Sequence, residues 1–301
     1  MRDGTWKRRD VAGGLLLLAA AYAFLRRRPR PAASQPEEIA PGVWCLETGH
    51  GFSGSNVYFV RSGPSWVLID AAWPNRDRLI RDAAESLFGA GARPAAILLT
   101  HVHPDHSGSA AELAQTWGVP VYVHPLEMAS ALGKAAYSDP IERWLGWLLV
   151  PLMSLVPRRA AEPAEPSLAD SARSFDPSGS IPGLPDWECV PTPGHTPGHV
   201  AFFRPGDRVL ITGDAVLPMN LNSLWDLLRN RRRLSGPPYI STWNWTVAKE
   251  SVAALARLDP NVLACGHGAP LAGPNTAADL RAFAAGFSDR ATPAEAHPER
   301  P

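Results

Sequence analysis

Thr100-His101-Val102-His103-Pro104-Asp105-His106-Ser107-Gly108 places three histidines and one carboxylate within six consecutive positions. The preceding Ala95-Ala96-Ile97-Leu98-Leu99 reads as a short buried strand. Ala110 to Trp117 reads as a helix, with Ser107 or Ser109 as its cap. The cluster therefore sits on a strand-to-helix loop. An extended H-x-H projects both imidazoles to one side, because side chains alternate with a period of two. Asp105 and His106 fall where the loop turns into the helix and can face a neighbouring ion. A lone histidine is ordinarily a core or surface residue. Four titratable groups in this order instead suit a metal bound by nitrogen and oxygen.

Further short motifs follow the same logic of polar groups at strand ends. Leu68-Ile69-Asp70, Thr192-Pro193-Gly194-His195-Thr196-Pro197-Gly198-His199, Ile211-Thr212-Gly213-Asp214-Ala215 and Cys265-Gly266-His267-Gly268 each put an Asp or His beside a predicted strand. Together with the histidine cluster, and in this order, they resemble the signature of the metallo-β-lactamase superfamily. The resemblance covers residues 40–285. It implies an α/β fold, a four-layered αββα sandwich. It further implies that His101, His103 and His195 bind one metal, that Asp105, His106 and His267 bind a second, and that Asp214 bridges them. Asp70 is then expected to orient a ligand imidazole. His199 either does likewise or packs in the following strand. Two divalent ions are expected, zinc first, with iron or manganese accepted by the same donors. A water shared between two such ions is a hydroxide at neutral pH and serves as the nucleophile, with Asp105 orienting it as the catalytic carboxylate.

Composition narrows the class. With 45% hydrophobic and 19% charged residues the chain is globular, and its formal net charge of zero offers no field for nucleic acid. Cys45, Cys189 and Cys265 are widely separated and odd in number, so neither a disulfide framework nor a thiolate metal site is indicated. The resemblance is closest to the glyoxalase II-like group, although only residues 268–301 follow His267, too few for that enzyme's C-terminal helical domain. Leu217 stands where some lactonases carry tyrosine, and Asp214 where classical β-lactamases carry cysteine or serine. The surviving expectation is a dinuclear hydrolase of a small-molecule ester, thioester or lactone. The alternatives are a mononuclear iron oxygenase resembling persulfide dioxygenases, and a non-catalytic membrane-associated metal-binding protein.

Outside the motifs, residues 1–30 form a basic and apolar N-terminal segment. Val11 to Leu25 is uncharged and reads as a short apolar helix, flanked by Arg8-Arg9 and by Arg26, Arg27, Arg28 and Arg30. At about 1.5 Å per residue it falls short of the ~30 Å bilayer core unless snorkelling arginines extend it. It is read as a membrane anchor with the catalytic domain in the cytoplasm. The alternative is export, since Arg8-Arg9 resembles a twin-arginine signal. A Pro/Ala/Glu linker over 31–41, a catalytic domain over 42–287 and a disordered tail over 288–301 complete the organisation.

Within the domain, 132–186 reads as an insertion whose apolar run 144–156 is a core helix, an active-site wall or an interfacial segment. Trp144, Trp147 and, from a second excursion over 217–243, Trp225 are the candidate substrate wall for an amphiphilic molecule. His50 is read as a loop residue near the cleft mouth. His124 either supports a ligand or simply ends a strand. A chain shortened to begin near Glu37 is expected to stay in solution after membrane sedimentation, while the full chain sediments with membranes. Full-length, uncleaved protein found wholly in the soluble fraction overturns the anchor.

Overall fold

A computed structural model describes residues 35–49, 54–134, 168–221, 232–238 and 241–288, all within the unit Gln35–Pro301. The N-terminal segment of 1–30, His50, Trp144, Trp147 and Trp225 lie outside the described residues. Among the described residues no helix is long and apolar enough to cross a membrane.

Seven strands form the first sheet in chain order: β1 (Glu37–Ala40), β2 (Val43–Glu47), β3 (Asn56–Ser62), β4 (Ser65–Ile69), β5 (Ala96–Leu98), β6 (Val121–Val123) and β7 (Ala172–Ser174). β1 to β4 pair antiparallel, and β4 to β7 pair parallel. The second sheet has the order β14 (Leu271–Ala272), β13 (Val262–Cys265), β10 (Val209–Gly213), β9 (Val200–Arg204), β8 (Glu188–Pro191). A small hairpin, β11 (Leu217–Met219) with β12 (Arg232–Ser235), stands beside it.

Burial on both sheet faces explains the nearly unbroken apolar strands. In β3, Val57 and Phe59 point to one core while Tyr58 and Val60 point to another; in β4, Trp66 and Leu68 alternate with Val67 and Ile69 in the same way. The outer core of the first sheet is closed by α1 (Asp77–Phe88) and α3 (Ala110–Trp117), through Ile80, Ala84, Leu113 and Trp117. The middle core joins the sheets: Tyr58, Val60, Val67 and Ile69 meet Val200, Phe202, Val209, Ile211 and Ala264. The far core sets Phe203, Leu210 and Leu263 against Val252 and Leu255 of α6 (Trp245–Ala256) and Leu280 and Phe287 of α7 (Thr276–Ser288). Three cores separate four layers, and the αββα sandwich implied by the motifs is the observed fold.

Local differences from the sequence reading have simple causes. Glu37–Ala40, read as linker, pairs as β1 because β2 offers it an open edge. Inside the expected insertion, the short α5 (Leu168–Ser171) leads into β7, which adds to the parallel edge at β6. Three residues carry too little periodicity to announce such a strand. Ser109 occupies the N-cap position of α3 without capping it; its hydroxyl donates to the carbonyl of Trp73 and accepts from the N–H of Arg76.

Replacing Phe202, fully buried between the sheets, by alanine is expected to cost about 3–5 kcal/mol. Leu126→Ala, at an exposed position, should stay within about 0.5 kcal/mol. Denaturant unfolding of both variants checks the contrast.

Candidate metal centre

The site lies where strands end. β4 runs into Asp70, β5 into Thr100 and His101, β10 into Asp214, and β13 into the His267 loop, while His199 immediately precedes β9. Because β9 is antiparallel to β10, its start shares the edge at which β10 ends. Backbone bonds pin the sheets together there, Val200 N–H to the Thr100 carbonyl at 2.9 Å and Asn56 N–H to Gly266 at 2.8 Å, while Gly266 N–H to Gly213 at 2.7 Å joins the ends of β13 and β10 within the second sheet.

Seven side chains from four segments converge in two groups. One group holds His101, His103 and His195; the other holds Asp105, His106, Asp214 and His267, each with its ligand atoms within 4.8 Å of one another. In the first, His101 Nε2 and His103 Nδ1 lie 3.1 Å apart. Asp214 reaches both groups. Its Oδ2 is 3.5 Å from His195 Nε2 and 3.4 Å from His267 Nε2, and its Oδ1 is 3.3 Å from His106 Nε2. Asp105 Oδ2 approaches His267 Nε2 at 3.2 Å. His101, His106, His195, Asp214 and His267 are buried, whereas His103 and Asp105 are half-buried and form the open side.

A chain of hydrogen bonds fixes the tautomers. Asp70 Oδ1 accepts from the Thr100 N–H at 2.8 Å, and Oδ2 accepts from the Thr100 hydroxyl at 2.9 Å. With its only proton so committed, Thr100 Oγ1 accepts from His101 Nδ1 at 3.1 Å. Asp70 Oδ2 also accepts from His106 Nδ1 at 2.8 Å. Both imidazoles thus keep Nε2 free to coordinate. His267 Nδ1 donates to the Gly54 carbonyl at 2.5 Å, and His195 Nδ1 faces the Thr242 hydroxyl at 3.5 Å.

Of the two roles considered for His199, neither orientation of an imidazole nor simple packing describes it. Its Nε2 accepts the Asp214 backbone N–H at 3.1 Å and its Nδ1 donates to Thr192 Oγ1 at 2.7 Å, so it sets the backbone of the shared carboxylate. His124 is a strand-end residue whose Nδ1 accepts from the Leu126 N–H at 3.2 Å.

The donors fit a cation. His106 Nε2, His195 Nε2 and Asp214 Oδ1 are buried without a hydrogen-bond partner among the described residues, and each such atom costs about 1–3 kcal/mol if left so. His106 and Asp214 face one another, but not in hydrogen-bonding alignment. Burial disfavours the His106 cation, yet the carboxylates of Asp214, Asp105 and Asp70 overcome this and hold its pKa well up. Against the same opposition from burial, Asp214 and Asp105 raise His267 to about 10. Burial and the surrounding imidazoles push His101 and His195 well down. One half of the site therefore draws positive charge and the other offers neutral nitrogen. A metal replaces the protons that the carboxylates otherwise recruit.

Sequence reading missed two supports. Asn56 Nδ2 donates to the carbonyls of Cys265 at 2.9 Å and Gly268 at 2.6 Å, and the Tyr58 hydroxyl donates to Cys265 at 2.5 Å. Both hold the His267 loop from a strand more than 200 positions away. The only signal in the sequence was two polar groups at the start of an otherwise apolar strand.

A family model described as "Metallo-beta-lactamase superfamily" matches residues 50–267. Probable metallo-hydrolase YflN of Bacillus subtilis (strain 168) is 39% identical over 252 residues, covering 82% of this chain and 91% of that protein. A crystal structure of a beta-lactamase domain protein from Burkholderia ambifaria is similar with a TM-score of 0.56 and 25% identity, covering 87% of this chain and 74% of that one. A metallo-beta-lactamase family protein from Thermus thermophilus, TTHA1429, shares the fold with a TM-score of 0.55 at 21% identity, covering 83% of this chain and 79% of that one.

Asp70→Asn removes one acceptor and turns an amide N–H toward a group that already donates. Metal affinity is expected to fall about 10–100-fold with little change in secondary structure. Metal titration beside far-UV circular dichroism checks this.

Proposed function

Because the chain belongs to the metallo-β-lactamase superfamily and is a metal-dependent hydrolase, we propose that it works with two divalent ions, zinc first, and cleaves an ester, thioester or lactone bond of a small molecule. The observation that carries this reading is Asp214, one carboxylate within 3.5 Å of His195 on one side and within 3.4 Å of His106 and His267 on the other. A shared carboxylate suits two adjacent cations, with His101, His103 and His195 holding one and Asp105, His106 and His267 the other. The donors are nitrogen and oxygen without sulfur, a set that suits zinc and also admits iron and manganese. When bound, such ions supply Lewis acidity and lower the pKa of water.

The protein's own groups do the rest. Asp70 keeps the proton of His106 on Nδ1, and through Thr100 it does the same for His101. The buried imidazoles exclude bulk water from the inner side of the site. Asp105 remains on the open side, its side chain 19% exposed. Despite burial, His106 and His267 keep its carboxyl at about 2, so it is ionised at neutral pH. Its carboxylate accepts a hydrogen bond from the incoming water and aims it at the substrate carbonyl.

Metal analysis of reloaded protein, together with a panel of acyl esters, thioesters and lactones of increasing chain length, tests the proposal. About two ions per chain and turnover on the panel are expected. Asp214→Ala should lose metal and turnover together. Asp105→Ala should lose at least about 10²-fold in kcat while retaining part of the metal. One iron per chain with oxygen uptake would replace this reading with the oxygenase.

A further inference from the structure

Glu127 is a carboxylate with 1% of its surface exposed, and among the described residues no other glutamate is buried. It follows β6, in a short 3-10 turn (Pro125–Glu127) that leads into α4 (Met128–Ala131). Its two oxygens go to two different loops. Oε2 accepts the N–H of Val102 at 3.0 Å, and Oε1 accepts the N–H of Gly198 at 2.9 Å. Val102 separates His101 from His103, and Gly198 stands between His195 and His199. All three nitrogen ligands of the first group therefore hang from backbone held by one carboxylate. Of the second group, Asp105 and His106 follow in the turn α2 (Pro104–Ser107) and are tied to the loop after β4, while Asp214, shared by both groups, meets the second loop through its N–H to His199 Nε2.

We propose that Glu127 is a positioning residue that sets the spacing of the His101–His103–His195 group, and so selects for metal at that group over the other. The inference rests on the two-ion reading above. A carboxylate is required because both partners are donors: it presents an acceptor to each, and charge-assisted bonds to backbone N–H groups are the stronger kind. Glutamine offers only one oxygen, and its NH₂ meets the second N–H donor head on. The approach is also sterically prepared. A Cβ at position 198 would lie 2.8 Å from Glu127 Cγ and 2.9 Å from its Oε1, so only glycine lets the carboxylate reach that N–H. A separate backbone tie between the two loops, the Val200 N–H to Thr100 carbonyl bond, stays in place when the carboxylate is lost.

The test is a titration of metal-free full-length protein with Co²⁺, followed by visible absorption and by metal analysis, for wild type, Glu127→Gln and Gly198→Ala. In wild type two ions are expected. Both variants should bind one ion as wild type does and the other about 10–100-fold more weakly, with loss of the absorption contributed by the three-histidine group. Glu127→Gln that binds both ions like wild type overturns the inference while leaving the two-ion reading intact. Equal weakening of both ions, tracking a fall in melting temperature, also overturns it, since that is the signature of a merely structural carboxylate. Wild type that takes fewer than two ions overturns the two-ion reading and this inference with it. Gly198→Ala reproduces the displacement from the opposite partner, so a folding defect peculiar to either variant does not decide the outcome alone.

Discussion

The carboxylate of Asp70 is fully engaged within the protein: a backbone N–H, a threonine hydroxyl and an imidazole N–H all donate to it. A buried charge is tolerated only with such saturation. Asp70 also sits at φ 60°, a left-handed conformation that aspartate tolerates better than most residues. The chain turns sharply at the end of β4, which puts the side chain under the histidine cluster rather than along the strand. The next residues then bind that cluster by backbone: Ala71 N–H donates to the His106 carbonyl at 2.6 Å, and Gly108 N–H to Ala72 at 2.8 Å. One strand end therefore fixes the orientation of His101 and His106 and the path of the turn that also carries Asp105.

That arrangement depends on the layers. The strand ends converge only because the middle core holds the two sheets face to face through side chains such as Tyr58 and Phe202. Tyr58 contributes twice, packing in that core and donating its hydroxyl to Cys265 beside the His267 loop. Packing and ligand geometry are coupled through such residues. The outer helices contribute by covering the outer faces of the two sheets, which lets central strands such as β4 and β10 be apolar almost throughout.

The fold was legible because the nearly unbroken apolar runs of β3, β4 and β10 and the strand-end position of every motif both survive in the sequence. The strand read over residues 95–99 and the helix read over Ala110–Trp117 stand as β5 and α3. What escaped were elements defined by partners rather than by themselves. β1 and β7 are short strands that exist because an edge was available. Thr100, Asn56 and Glu127 carry no spacing signal, since each acts on a loop distant in sequence. Long-range hydrogen bonds have no periodicity to read. The ligand types were visible because metal chemistry restricts which residues can serve; their supports were not, because many residues can supply a hydrogen bond.

The compactness of the site also depends on atoms that are missing. A Cβ at Gly266 would collide with Asp214 Oδ1 and come within 2.7 Å of His106 Cε1, and one at Gly213 would lie 2.8 Å from both His199 Nε2 and Thr100 Oγ1. At these two positions the backbones of β10 and of the His267 loop close directly on the ligands, and no side chain stands between. Gly213 additionally takes φ +49°, which lets the chain turn so that Asp214 points across the sheet edge toward both groups of donors. Beside these glycines, His106 Nε2 and Asp214 Oδ1 are buried and have no hydrogen-bond partner among the described residues. Close backbone approach and unpaired donor atoms are thus two aspects of one arrangement. The glycines draw the segments together, and the buried carboxylate oxygens and imidazole nitrogens left facing one another are of the kind and placement that cations satisfy.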